Sequence, residues 1–136
     1  MAINIFGSSF SLLSKVLDLR SQRHSVIASN LANVDTPGYK AVHVAFEDEL
    51  KKALPETNTL NLAKTHTEHI PTQGSFDDIT PVVIKQGRHN PRPDGNTVDM
   101  DKEFVKMSKN QMMYSAVAKI LGKKFEGLIS AIREGK

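Results

Sequence analysis

The chain of 136 residues contains no cysteine and no tryptophan. Without cysteine there is no disulfide framework, no thiol nucleophile and no thiolate-held metal. Aromatic residues make up only 6% of the chain, which is poor for a dense globular core. No apolar run approaches the roughly 18 residues that a membrane span needs. The opening stretch MAINIFGSSF lacks both the positive n-region and the long apolar h-region of a Sec-type signal peptide, so none is expected. The glycines stand singly, which excludes a Walker or dinucleotide loop. No serine sits in a Gly-x-Ser-x-Gly elbow.

The charged residues add little chemistry. The net charge is +3, a mild excess and not a nucleic-acid signature. Lys123, Lys124, Arg133 and Lys136 form the tightest basic cluster. They read as a solvated face with favourable charge near a helix C-terminus. His66 and His69 flank Glu68 at i,i+3 spacing, but this is not the His-Glu-x-x-His zinc motif and no further ligand is near. His24 reads as a packed, register-setting polar residue in a helix seam. His43 and His89 have no obvious partner. Asp77 and Asp78 are adjacent in a loop-like stretch, where solvated charge is the default. No enzymatic activity, cofactor, metal, nucleic acid or small-molecule substrate is expected.

What the chain does have is helical periodicity at both ends. Five of its six prolines lie between residues 55 and 97, and a proline inside a helix costs about 3 kcal/mol. Residues 8–34 and 98–133 therefore read as helix, and 35–97 as broken and polar. In the first helix Phe10, Leu13, Leu17, Arg20, His24, Ile27 and Leu31 follow 3-4 spacing. A second row, Leu12, Val16, Leu19, Arg23 and Val26, widens the face. Ser8, Ser9 or Ser11 is the expected N-cap. Thr36-Pro37-Gly38 ends the helix, with Pro37 and Gly38 suited to the centre of a type II turn.

In the last helix Met100, Phe104, Met107, Gln111, Tyr114, Ala118, Leu121, Phe125, Leu128 and Ile132 hold 4-3 spacing. Asp99 is the expected N-cap. At 1.5 Å per residue this rod is about 50 Å long, against about 37 Å for the first helix. Neither the shorter helix nor the polar middle is expected to cover it. An apolar flank left open marks a partner surface, so assembly through both ends is expected. In the middle, Val42, Val44 and Phe46 alternate as in a short strand. Glu47 to Leu54 reads as a two-turn helix with Glu47–Lys51 and Asp48–Lys52 pairs. Pro81 to Ile84 reads as another short strand, and Arg88 to Asn96 as loop.

Two motifs say more than their periodicity. The run from Ala28 through Asn30-Leu31-Ala32-Asn33-Val34-Asp35-Thr36-Pro37-Gly38-Tyr39 to Lys40 resembles the N-terminal signature of bacterial flagellar rod, hook and hook-associated proteins. The run from Gly95-Asn96-Thr97-Val98-Asp99 to Glu103, then Asn110 to Tyr114 and Lys123-Lys124-Phe125, resembles the C-terminal segment of proximal rod subunits. The resemblance implies a mostly α fold. Long terminal helices would form an antiparallel coiled-coil-like hairpin around an irregular, partly extended middle. One domain would then comprise 1–34, 35–97 and 98–136, with Gly122 and Gly127 marking close approach of a neighbouring helix.

The resemblance also implies a structural subunit of the basal-body rod, exported by the flagellar type III apparatus without a cleaved signal. It would polymerise in the periplasm into the shaft that carries torque from the MS ring to the distal rod and hook. Its partners would be other rod subunits, proteins of the MS-ring/rod junction and export gate, and copies of itself. The motif residues Asn30, Asn33, Asp35, Thr36, Pro37, Gly38 and Tyr39 would bond, cap and turn the helix end. Leu13, Leu17, Ile27, Leu31, Met107, Tyr114, Leu121, Phe125, Leu128 and Ile132 would form the assembly seam, with Leu121, Phe125, Leu128 and Ile132 beyond the reach of the shorter helix. The competing reading is a cytosolic coiled-coil adaptor or a basic nucleic-acid-binding module.

Overall fold

The computed structural model describes residues 8–53, 79–85 and 92–134. Helix α1 spans Ser8–Ala32, strand β1 Val42–Ala45, helix α2 Glu47–Ala53, strand β2 Val82–Lys85 and helix α3 Met100–Glu134. The architecture is mostly helical, with long helices toward both ends and a small sheet between them. His66, His69, Asp77, Asp78 and His89 lie outside the described residues, as does the possible metal pair.

Helices α1 and α3 run in opposite directions along their contact. Asn30 meets Glu103 near one end, the Asn110 side chain reaches the Arg20 carbonyl in the middle, and Phe10 lies edge-on to Phe125 with centroids 5.1 Å apart. That last contact corrects one expectation. Helix α1 extends as far as Phe125, so Leu121 and Phe125 lie beside it and only later residues of α3 run past. Both Gly122 and Gly127 face open space, with nothing within 4 Å of an added Cβ. No described part of this chain approaches them closely.

The middle segment contributes more than expected. Strands β1 and β2 pair antiparallel, Val42 opposite Lys85 and Ala45 opposite Val82. Alternation puts Val44 and Phe46 on one face of the ribbon. There they join Leu19 and Ile79 in a buried cluster, flanked by Val26 and Leu50. The second row of α1 thus supplies Leu19 and Val26 to this cluster, while the first row contributes the buried Ile27. Strand β2 is exposed throughout, so the ribbon covers α1 through β1 alone.

Helix α2 is placed by an ion pair that local spacing does not reveal. Glu47 bonds not to Lys51 but to Arg23, which donates to both carboxylate oxygens at 2.6 and 2.7 Å. The same guanidinium donates to the Val44 carbonyl at 2.8 Å and lies 4.1 Å from the Phe46 ring centroid. Lys52 pairs with Glu49, not Asp48. The Arg23 hydrogen bonds, working against burial, pull the Glu47 carboxyl from the ordinary 4.5 down to about 2. A depressed carboxyl stabilises the fold fully above its unfolded value and loses that contribution as pH falls toward the folded one. Urea unfolding should therefore show stability declining between pH 4.5 and 2, with a smaller decline in Glu47→Gln. Because the pair is partly solvated, the difference should stay within about 1 kcal/mol.

Candidate functional site

The end of α1 is where the two halves of the chain are fastened. Helix α1 has no basic residue in its last turn, so its free carbonyls need help from elsewhere. The turn tightens first: Asn33 N bonds to Asn30 O at 3.1 Å and Val34 N to Leu31 O at 3.3 Å. The chain then reverses through Thr36-Pro37-Gly38-Tyr39. Tyr39 N bonds to Thr36 O at 3.3 Å and Gly38 has a φ of 73°, as a type II turn requires.

A second turn docks against the first. Gly95 N bonds to Arg92 O at 2.7 Å and Arg92 N to Asn96 O at 3.1 Å, with Gly95 at a φ of 76°. Gly38 N donates to the Asp94 carbonyl at 2.9 Å. A Cβ on Gly95 would stand 3.7 Å from the Gly38 Cα, so the two glycines meet nearly backbone to backbone. Lys40 donates to the Gly95 carbonyl. Thr97 then runs beside residues 39–41: its N–H bonds to Tyr39 O at 3.0 Å and its hydroxyl accepts from Ala41 N at 2.8 Å.

Asn96 ties down the turn that follows α1. Its buried amide nitrogen donates to the carbonyls of Asn33, Val34 and Thr36, each at 2.9 Å. Two hydrogens serve three acceptors, so one is shared. Its oxygen accepts from Val98 N at 2.7 Å. Arg92 adds a bond to Val34 O at 3.2 Å and brings the positive charge that the last turn of α1 lacks. The expected capping by Asp35 and Thr36 does not occur. Asp35 is exposed, and the Thr36 hydroxyl donates to Asn33 Oδ1 at 3.2 Å. Asn33 itself donates to Ser29 O at 2.8 Å.

One turn back, Asn30 is fully buried and uses its whole amide. Its nitrogen donates to Val42 O at 2.7 Å and to Glu103 Oε2 at 3.1 Å. Its oxygen accepts from Val42 N at 3.0 Å and from the Tyr39 hydroxyl at 3.3 Å. Glu103 is buried too, and its other oxygen accepts from Lys106 Nζ at 2.6 Å. A single side chain therefore ties α1, the turn, β1 and α3 together. The α3 start is capped as expected, with Asp99 Oδ1 accepting from Lys102 N at 3.1 Å. At the other end, Ser9 and Ser11 lie inside α1 and cap nothing.

The seam residues divide. Ile27 is buried, while Leu13, Leu17, Leu31, Met107, Leu121 and Leu128 are half-buried. Tyr114, Phe125 and Ile132 are exposed, Ile132 at 71%. Toward α1, the inward positions of α3 include Glu103 and Asn110, where periodicity pointed to Phe104 and Gln111. Two polar residues hold these places because each has a partner on α1. His24 is exposed and not packed in the seam. His43 lies 3.4 Å from Lys106 Nζ. Beyond the docked turns α3 leaves large apolar side chains open along its length, among them Val105, Met112, Ile120 and Ile129.

Among the described residues no group of three His, Asp or Glu is arranged to hold a metal, and no helix is long and apolar enough to cross a membrane. The family described as "Flagella basal body rod protein" matches residues 17–40, the stretch from mid-α1 through the Tyr39 turn. The chain is 38% identical over 128 residues to the flagellar basal body rod protein FlgB of Escherichia coli K12, covering 89% of this chain and 90% of that protein. It is 35% identical over 125 residues to its counterpart in Salmonella typhimurium LT2, with the same shares covered. For the FlgB of Borreliella burgdorferi the figure is 33% over 130 residues, covering 93% of this chain and 96% of that protein. With identity of 33–38% over about nine-tenths or more of both chains, the chain belongs to the FlgB family of flagellar basal body rod proteins.

Proposed function

We propose that this chain is a structural, non-enzymatic subunit of the proximal rod of the flagellar basal body. It assembles with other rod subunits, with copies of itself and with proteins of the MS-ring/rod junction and export gate. In this reading α1 and α3 form an antiparallel, coiled-coil-like hairpin. The docked turns hold that hairpin at one end, and the open flank of α3 packs on neighbours. The subunit is exported by the flagellar type III apparatus without a cleaved signal and stands in the periplasm. There it carries torque from the MS ring toward the distal rod and hook.

The observation that carries the reading is the set of large apolar side chains that α3 exposes along nearly its whole length. A surface of that extent is stable in water only when partners cover it. Family membership supplies the kind of partner. The adaptor or nucleic-acid reading has no support, because the relatives matched over nine-tenths of the chain are rod proteins.

Subcellular fractionation tests the assignment. The chain should co-sediment with detergent-resistant basal bodies, and cells lacking it should not swim. Recovery only in the soluble cytosolic fraction of flagellated cells would overturn it.

A further inference from the structure

A groove of about 420 Å³ runs between α1, β1 and α3. It joins apolar walls, including Val26 and Met113, to four cations: Arg20, Arg23, Lys106 and Lys109. Arg23 is neutralised by Glu47, and Lys106 by Glu103. Arg20 and Lys109 form no ion pair among the described residues. Asn110, only 4% exposed, lines the groove, and its Oδ1 has no partner there; neither has the buried Nε of Arg20. Buried polar atoms are rarely left so. The groove is thus an unfinished surface with surplus positive charge and apolar sides.

A complementary surface lies on α3 itself. Asp101, Val105 and Met112 fall on one flank at helical spacing, with Phe104 beside them. This flank is turned roughly 120° around the helix from the one that lines the groove. Val105 is 69% exposed and Met112 71%. Asp101 is exposed and makes no ion pair among the described residues.

We propose that the Asp101 flank of α3 in one copy seats in the groove of a second copy, Asp101 against Arg20 and Lys109, with Val105 and Met112 against Val26 and Met113. The inference rests on the chain being a rod subunit. The two surfaces differ, so the contact is heterologous: it repeats head to tail and does not close as a two-fold dimer.

The absence of native cysteine makes a direct test clean. Asp101→Cys and Lys109→Cys are placed in one chain. Eight residues of helix separate their Cα atoms by about 12 Å, beyond the roughly 7 Å that a disulfide spans. Oxidation of the basal-body fraction should therefore give a ladder of dimers and larger species, and either single variant should give none beyond the dimer. Separately, Lys109→Glu should lower the amount of sedimented subunit by roughly tenfold, and adding Asp101→Lys should restore it.

A sedimenting double-cysteine chain that gives no ladder overturns the contact and leaves the rod assignment standing. So does failure of the reversed pair to restore assembly. If the unaltered chain itself never sediments with basal bodies, the rod assignment falls and this contact falls with it.

Discussion

Replacing Asn30 by Leu is expected to destabilise the folded chain by about 3 kcal/mol, near the upper end for a single substitution. The leucine is of similar size, so the loss is not one of volume. Four hydrogen bonds disappear together. The Val42 backbone loses both a donor and an acceptor in a partly buried place, and Glu103 keeps only Lys106 as a partner. Each stranded group carries its own desolvation penalty of roughly 1–3 kcal/mol, partly relieved by relaxation. Urea unfolding followed by circular dichroism measures the effect. Tyr39→Phe removes one long bond of 3.3 Å and should cost only about 0.5–1 kcal/mol. Equal losses in the two variants would mean that Asn30 is not the fastening point.

The second large effect concerns assembly and leaves the fold alone. Ile132→Asp is expected to abolish swimming while the isolated subunit keeps its helicity and unfolding midpoint. The side chain is 71% exposed, so the folded chain loses little. In a rod contact the isoleucine would contribute about 1.5–3 kcal/mol by burial, and a carboxylate in its place would also face desolvation. Together these weaken each contact by roughly two orders of magnitude or more. The subunit should accumulate unassembled, outside the basal-body fraction. Phe125→Asp is a less clean variant, because Phe125 also touches Phe10 within the chain. Normal motility with Ile132→Asp would remove this end of α3 from the interface.

The parts of the molecule that were legible in the sequence are those set by neighbours in the chain. Helix ends, the Pro37-Gly38 turn and the Asp99 cap each follow from a few adjacent residues. So does the extended run through Val44 and Phe46. The fastening itself was not legible. Asn96 is bonded to carbonyls 60–63 residues away, Asn30 to a carboxylate 73 residues away, and Asn110 to a carbonyl 90 residues away. Hydrophobic periodicity passes over such residues, because a buried polar side chain looks like a surface one until its partner is known. For the same reason periodicity points to Phe104 and Gln111 on α3, where Glu103 and Asn110 hold the inward places. Glu47 shows the effect at short range, since the i,i+4 rule offered Lys51 while Arg23 lay closer in space. Asn30 and Asn96 both fall within the two family motifs. That was the available signal, and it marked the segments without assigning Asn96 its role.

The hold that Asn96 takes on the turn after α1 also sets an order of events. Ribosomes deliver a chain N-terminus first, so the turn after α1 exists for some time with the carbonyls of Asn33, Val34 and Thr36 lacking their Asn96 partner. Closing a loop of some 60 residues carries an entropy cost of about 4 kcal/mol at body-like temperatures, and no bond between the docked turns can form until both turns are present. The fastening is therefore a late step, controlled by the second half of the chain. Until residue 96 arrives the first helix can dock on β1 and Glu47, but the turn that follows it stays free to open, to thread or to be handed on.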